Sequence, residues 1–182
     1  MKQVGSFDLQ EPKIRKDEIL VVKDKYFHGK NLAIVTGAAS GVGRATAIAL
    51  AVNGLVVVGT DVMEEGGKET AKMAEALGGK VIFVKADLTK DEEIEKIVPK
   101  AAQYGSIKFL VNNAGLQHID AIENFPMQKY DFMMKVMLRA PFYLSKLCIP
   151  HIKKTEDGVG AIGNMCSVHG HMVTKNKPVY NI

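Results

Sequence analysis

Residues 36–43 read Thr36-Gly37-Ala38-Ala39-Ser40-Gly41-Val42-Gly43, and the chain on either side of them decides the fold. Leu32-Ala33-Ile34-Val35 leads in, a short apolar run expected of a strand buried on both faces. Arg44 to Val52 leads out, with Ala45, Ile48, Ala49 and Val52 at helical spacing. Strand, glycine turn and helix together make a nucleotide site. The helix start presents N–H groups without intrahelical partners and the positive end of the helix dipole, so a pyrophosphate fits there. Gly37, Gly41 and Gly43 serve the turn, the close backbone approach and the helix–strand packing. Their spacing is G-x-x-x-G-x-G rather than the more general G-x-G-x-x-G.

Working outward, the same alternation repeats. The first strand covers 31–36 and its helix 42–53, ended by Asn53-Gly54. A β-branched run at 55–60 forms the second strand and closes on Asp61, and a helix over 64–77 stops at Gly78-Gly79. The third strand, 81–86, closes on Asp87, and its helix runs over 91–103 with acids favouring its start. The fourth strand, 107–111, closes on Asn112-Asn113-Ala114-Gly115, followed by one long helix over 127–152. The fifth strand, 159–165, closes on Cys166-Ser167, and a polar loop leads to Tyr180. Five alternations predict an α/β fold with a parallel sheet and right-handed crossovers. Residues 1–30 stand apart as an N-terminal arm that reads as a partly ordered leader, with a short strand over 19–22 as the alternative. The nucleotide-binding domain is expected over 31–182.

The chain has 182 residues, enough for about one domain, and 47% of them are hydrophobic. The net charge of +4 is spread among acids, which excludes a nucleic-acid footprint. Cys148 and Cys166 lie in apolar runs and read as buried free thiols of a reducing compartment. With no signal peptide and no stretch of membrane-spanning length, the expectation is a soluble, cytoplasmic protein with no membrane partner.

The strand-end polar residues Asp61, Asp87, Asn112 and Ser167 fall on one rim, the ligand edge of an open α/β sheet. Asp61 lies 18 residues after Gly43, where a carboxylate accepts hydrogen bonds from the adenosine ribose. It repels a 2′-phosphate, and no Arg or Lys stands beside it, so NAD is favoured over NADP. Asp87 suits an adenine contact or a helix cap, since Asp87 and Thr89 both precede a helix. The Asn112-Asn113 amides either hold the loop beside the cofactor or serve plain turn chemistry.

TGAASGVG, Asp61, the Ala86-Asp87-Leu88 triplet and Asn112-Asn113-Ala114-Gly115, in this order and spacing, resemble the short-chain dehydrogenase/reductase family over residues 30–182. The resemblance implies a Rossmann-like three-layer fold with strand order 3-2-1-4-5. It implies an NAD(P)-dependent oxidoreductase with a Ser-Tyr-Lys catalytic group and an Asn from the helix after the fourth strand. Thr36, Gly37, Ser40, Gly41, Val42, Gly43, Asp61, Asp87, Leu88, Asn113, Ala114 and Gly115 match cofactor-binding positions. Ser167 and Tyr180 match the catalytic serine and tyrosine. Met137 stands where the Asn is expected, and the lysine position, 184, lies past Ile182.

A narrower resemblance, to D-3-hydroxybutyrate dehydrogenases, rests on NNAGLQH at 112–118, IENFP at 122–126, IPHIKK at 149–154 and SVHG at 167–170. It implies that Gln117, His169 and Lys177 bind a substrate carboxylate, a task for one cation and a few hydrogen bonds. The expected reaction is hydride transfer between a short hydroxy acid and NAD, with another small alcohol or sugar as the alternative substrate. The other alternative is a nucleotide-binding module without turnover. A tyrosine in water is ionised in only about one molecule in a thousand at pH 7, and a terminal carboxylate at Ile182 would hold it more firmly protonated. The family sheet has seven strands, so the chain reads as an N-terminal part of a longer enzyme or a shortened gene product. On that reading the fifth strand is an apolar edge, and the piece is marginally stable or prone to aggregate. The resemblance further implies that the long apolar helix pairs across a homodimer or homotetramer interface.

Overall fold

A computed structural model of the chain describes residues 13–181. The first dozen residues and Ile182 lie outside it, and with them part of the arm and the expected terminal carboxylate.

Five parallel strands form one sheet: β1 (Asn31–Thr36), β2 (Val56–Asp61), β3 (Lys80–Lys85), β4 (Ser106–Asn112) and β5 (Ala161–Asn164), in the order β3-β2-β1-β4-β5. This is the order expected from the family resemblance. The helices between them are α1 (Gly41–Val52), α2 (Glu64–Ala76), α3 (Asp91–Ala101), α4 (Met127–Met134) and α5 (Ala140–Lys153).

The apolar run in β1 explains its central place. All six of its residues are buried, and successive side chains point to opposite faces. Leu32 and Ile34 join Val56, Val58, Leu110 and the apolar faces of α3 and α5. Ala33 and Val35 join Val57, Ile48, Ala51 and Ala74 on the side of α1 and α2. Both faces are therefore covered, as parallel sheets require. Thr36 pairs with Thr60, and Asn112 with Asn164, so the polar strand ends lie along one rim.

Two expectations are corrected. The single helix over 127–152 is interrupted by a π-helical segment, Lys135–Arg139, between α4 and α5. Apolar residues run through the interruption, so periodicity alone does not reveal it. The alternative strand over 19–22 does not form. Its backbone is bonded instead by one side chain, for Asn53 Nδ2 donates to Leu20 O (2.9 Å) and Val22 N donates to Asn53 Oδ1 (2.6 Å). The arm is further held by the Phe27 ring, edge-on to Phe109 at 5.8 Å. No helix among the described residues is long and apolar enough to cross a membrane.

Candidate active site

The glycine turn is shaped by contacts that only hydrogen-bonding and side-chain-free residues allow. Thr36, at the end of β1, accepts at Oγ1 from the backbone N–H groups of Asn113 (2.9 Å) and Ala114 (3.0 Å). Asn113 Nδ2 returns a bond to Thr36 O (3.0 Å). The loop after β4 is thus bolted to the turn after β1. Gly37 has φ +68, and a Cβ there would stand 2.9 Å from Ala114 Cα. At Gly43 a Cβ would stand 1.9 Å from Gly37 O, so α1 can start this close to β1 only with glycine. Gly41 has φ +52 and open space where its Cβ would be. Ser40 and Val42 are exposed on the same side, and the N–H groups of Val42 and Gly43 meet no acceptor among the described residues. A cradle with donors, room and the positive end of a helix accepts an anion.

Asp61 closes β2 beside that cradle. Its Oδ2 accepts from Ala39 N (3.1 Å) and its Oδ1 from Met63 N (3.0 Å), leaving each oxygen a lone pair for a further donor. Asp87 closes a turn onto Thr89 ahead of α3 and is not its cap, for the N-cap of α3 is Lys90 and no side chain bonds there. Its Oδ1 accepts from Thr89 N (2.9 Å) and Thr89 Oγ1 (2.7 Å), while Glu93 Oε2 accepts from Asp87 N (2.7 Å). Burial pushes the Asp87 carboxyl pKa up, but the Thr89 bonds and the Lys90 ammonium together outweigh it and hold the pKa below its ordinary value. Leu88 packs into the core, so only its backbone is available at the rim.

At the other end of the rim is an open cavity of about 830 Å³. Asn113, Ala114 and Gly115 line it, and so do Ser167 and Tyr180. Met137, from the π-helical segment, and Phe142 form its apolar wall. Ser167 Oγ accepts from His169 N (3.3 Å), which leaves the hydroxyl proton for another partner. The His169 ring stands edge-on to Tyr180 at 5.8 Å. Its Nε2 lies 3.4 Å from Lys177 Nζ and its Nδ1 2.7 Å from Thr174 Oγ1. An ammonium only donates, so Nε2 accepts and Nδ1 carries the ring proton. His169, Lys177 and Tyr180 therefore form one cluster behind Ser167. Gln117 is not part of it: the side chain is exposed and makes no hydrogen bond among the described residues. Its loop is nonetheless tied to the loop of Lys177, because Asp120 N donates to Asn176 O (2.9 Å).

Sequence reasoning placed Asn112 on the rim but missed its partner Asn164, and missed Arg44 and Thr70. Asn112 Nδ2 donates to Asn164 Oδ1 (2.8 Å), joining the ends of β4 and β5. Arg44 and Thr70 are buried behind the glycine turn. The available signal was charge out of place, since Arg44 directly follows Gly43 and is the one charged residue of α1.

Comparison with known proteins agrees with this geometry. The short chain dehydrogenase family profile matches residues 31–181. An uncharacterised oxidoreductase of Thermotoga maritima is 36% identical over 157 residues, covering 86% of this chain and 61% of its own length. A D-β-hydroxybutyrate dehydrogenase of Cupriavidus necator is 36% identical over 152 residues, covering 81% of this chain and 57% of its own. The crystal structure of a protein assigned as a short-chain alcohol dehydrogenase, from Sinorhizobium meliloti, superposes with a TM-score of 0.79 at 26% identity, over 86% of this chain and 62% of that one. The chain thus spans 57–62% of the length of these three relatives. The glycine turn, the strand order and the matched residues have one common explanation: the chain belongs to the short-chain dehydrogenase family of oxidoreductases.

Proposed function

We propose that the protein transfers hydride between a short hydroxy acid, of the 3-hydroxybutyrate kind, and NAD. One observation carries this reading. The anion cradle with Asp61 and the cavity with Ser167 and Tyr180 are two ends of one rim, joined through Thr36 and Asn113. The cradle fits the cofactor, because among the described residues nothing lies within 4 Å of where a Cβ would stand at Gly41, and the N–H groups of Val42 and Gly43 beside it meet no acceptor there. Thr36 to Gly43 would hold the pyrophosphate, Asp61 the adenosine ribose, and the Asn113–Gly115 loop would flank the nicotinamide end. When bound, NAD supplies the carbon that accepts the hydride.

The chain's own groups then divide the remaining work. Tyr180 takes the hydroxyl proton of the substrate as general base. Ser167, its oxygen already held by His169 N, turns its proton to the substrate oxygen as charge develops there. Lys177 supplies the cation for the substrate carboxylate, with His169 beside it and Gln117 closing from the neighbouring loop. The naming of the Cupriavidus necator and Rhizobium meliloti relatives as D-β-hydroxybutyrate dehydrogenases supports this substrate class. The same reading makes the protein cytoplasmic and self-associating, supported by the free thiols Cys148 and Cys166 and the exposed Leu138 and Phe142.

A binding module without turnover is the second reading, favoured by Met137 in the cavity wall. Following reduced nicotinamide absorbance with NAD and D-3-hydroxybutyrate separates the two. Turnover that falls at least about a hundredfold in Tyr180→Phe supports the dehydrogenase. Saturable NAD binding with no turnover supports the module.

A further inference from the structure

The glycine turn has a part that never faces the rim. Ala38 and Ala39 are buried, and all four of their backbone polar groups are taken. Ala38 N donates to Thr60 O (3.2 Å), and Ala38 O accepts from Thr70 Oγ1 (2.8 Å). Ala39 N donates to Asp61 Oδ2 (3.1 Å), and Ala39 O accepts from Arg44 Nη2 (2.5 Å). Arg44 Nε also donates to Thr70 Oγ1 (3.1 Å), which closes the ring of bonds. Arg44 is 9% exposed and Thr70 is 1% exposed. Gly66 lets α2 come this near, since a Cβ on it would stand 2.7 Å from Ala39 O.

The consequence concerns Asp61. One of its two oxygens is aimed by the Ala39 N–H; that N–H shares a peptide with Ala38 C=O, which Thr70 holds from the far side, while Arg44 holds Thr70 and the next carbonyl, Ala39 O. A carboxylate fixed in this way meets ribose hydroxyls without reorganising. It also cannot turn aside for a 2′-phosphate. The guanidinium that could neutralise such a phosphate is directed inward, to Ala39, Gly66 and Thr70.

We propose that Thr70, braced by Arg44, is a positioning residue that, through the Ala38–Ala39 peptide, holds Asp61 for an unphosphorylated adenosine ribose and so sets the preference for NAD over NADP. This rests on the NAD reading above. Removing the Thr70 hydroxyl takes away the acceptor of the Arg44 Nε bond and the donor to Ala38 O. The turn relaxes, and Asp61 loses its fixed aim.

Calorimetric titration of the 182-residue chain with NAD and with NADP tests this. In Thr70→Val, NAD is expected to bind about tenfold more weakly, and the ratio of NADP to NAD dissociation constants to fall by a similar factor. Thr70→Ser keeps the hydroxyl and restores both. Asp61→Asn lowers the ratio in the parent chain but changes it little in the Thr70→Val background, because the two substitutions act on one contact. A merely structural Thr70 would lower the melting temperature and leave the ratio unmoved. If the parent binds NAD in preference to NADP while Thr70→Val keeps that ratio, or while Thr70→Val and Asp61→Asn act additively, the positioning role is wrong and the NAD reading stands. If the parent chain binds neither nucleotide, both fall.

Discussion

Gly43 shows how one residue can be read from both sequence and structure. Its place in the glycine pattern marks it for helix–strand packing, and the reason is that a methyl group there would stand 1.9 Å from Gly37 O. Gly43→Ala should destabilise the protein by at least about 2 kcal/mol, because the clash is with backbone and cannot be relieved by a rotamer change. Thermal melting checks this, and NAD titration should show the site lost with it. Lys108 and Asp157 were not legible in the same way. They are 49 positions apart, and neither stands in a motif. Lys108 is buried with its ammonium paired to Asp157 and 4.9 Å from the centre of the Tyr26 ring. The bond from Lys108, with help from Val159 N–H and Tyr26, holds the Asp157 carboxyl well below the usual carboxylate range. A lowered folded-state pKa stabilises the fold above the ordinary carboxylate pKa, about 4, and this stability is lost as pH falls below it. The parent should therefore lose melting temperature between pH 7 and pH 3 more steeply than Asp157→Asn. Equal slopes would remove Asp157 from the acid response.

At the scale of elements, the sheet was legible because each strand is an apolar run ended by a polar residue, and each helix has a start and a stop. The break between α4 and α5 was not, because a π-helical turn keeps the apolar pattern while adding one residue to it. Arg139 braces this segment through its guanidinium on Asp91 at the start of α3. The strand at 19–22 failed for a different reason: it has the right residues, but among the described residues no strand lies beside it to pair with. In α5, Ala140, Leu144, Cys148 and Ile152 recur every four residues and are all buried against α3 and β4. Leu144→Ala should cost about 2–5 kcal/mol, measured by denaturant unfolding. Burial raises the Cys148 pKa to about 12, which keeps the thiol neutral and shielded. Cys166, expected to be buried from its apolar run, is instead exposed at the cavity, because the chain leaves β5 for the rim loop just before it. A maleimide at pH 7 should label one thiol per folded chain, Cys166, and the second only on unfolding. Fast labelling of both would show that α5 opens readily.

Across the whole molecule, the rim was anticipated as a line of residues, and the structure groups it into two ends. Ser167 and Tyr180 share a cavity, and His169 and Lys177 sit together behind them. Gln117 could not be placed from its position in the chain, because a loop side chain goes where its loop docks. The surface outside the rim has its own consequence. Phe142 is 72% exposed and Leu138 is 61% exposed, next to the open edge of β5. An apolar patch beside an unpaired strand favours contact with another chain. Sedimentation should show mass rising with concentration, and Phe142→Glu should shift the chain toward monomer. A monomer at every concentration would contradict this.

The nucleotide rim is tested most directly by a crystal structure of the chain grown with NAD. The expected density places the pyrophosphate over the N–H groups of Val42 and Gly43, the adenosine ribose on Asp61, and the nicotinamide at the cavity shared by Ser167 and Tyr180. A cofactor bound away from the glycine turn, or with its ribose out of reach of Asp61, would contradict the reading of this fold as an NAD-dependent dehydrogenase.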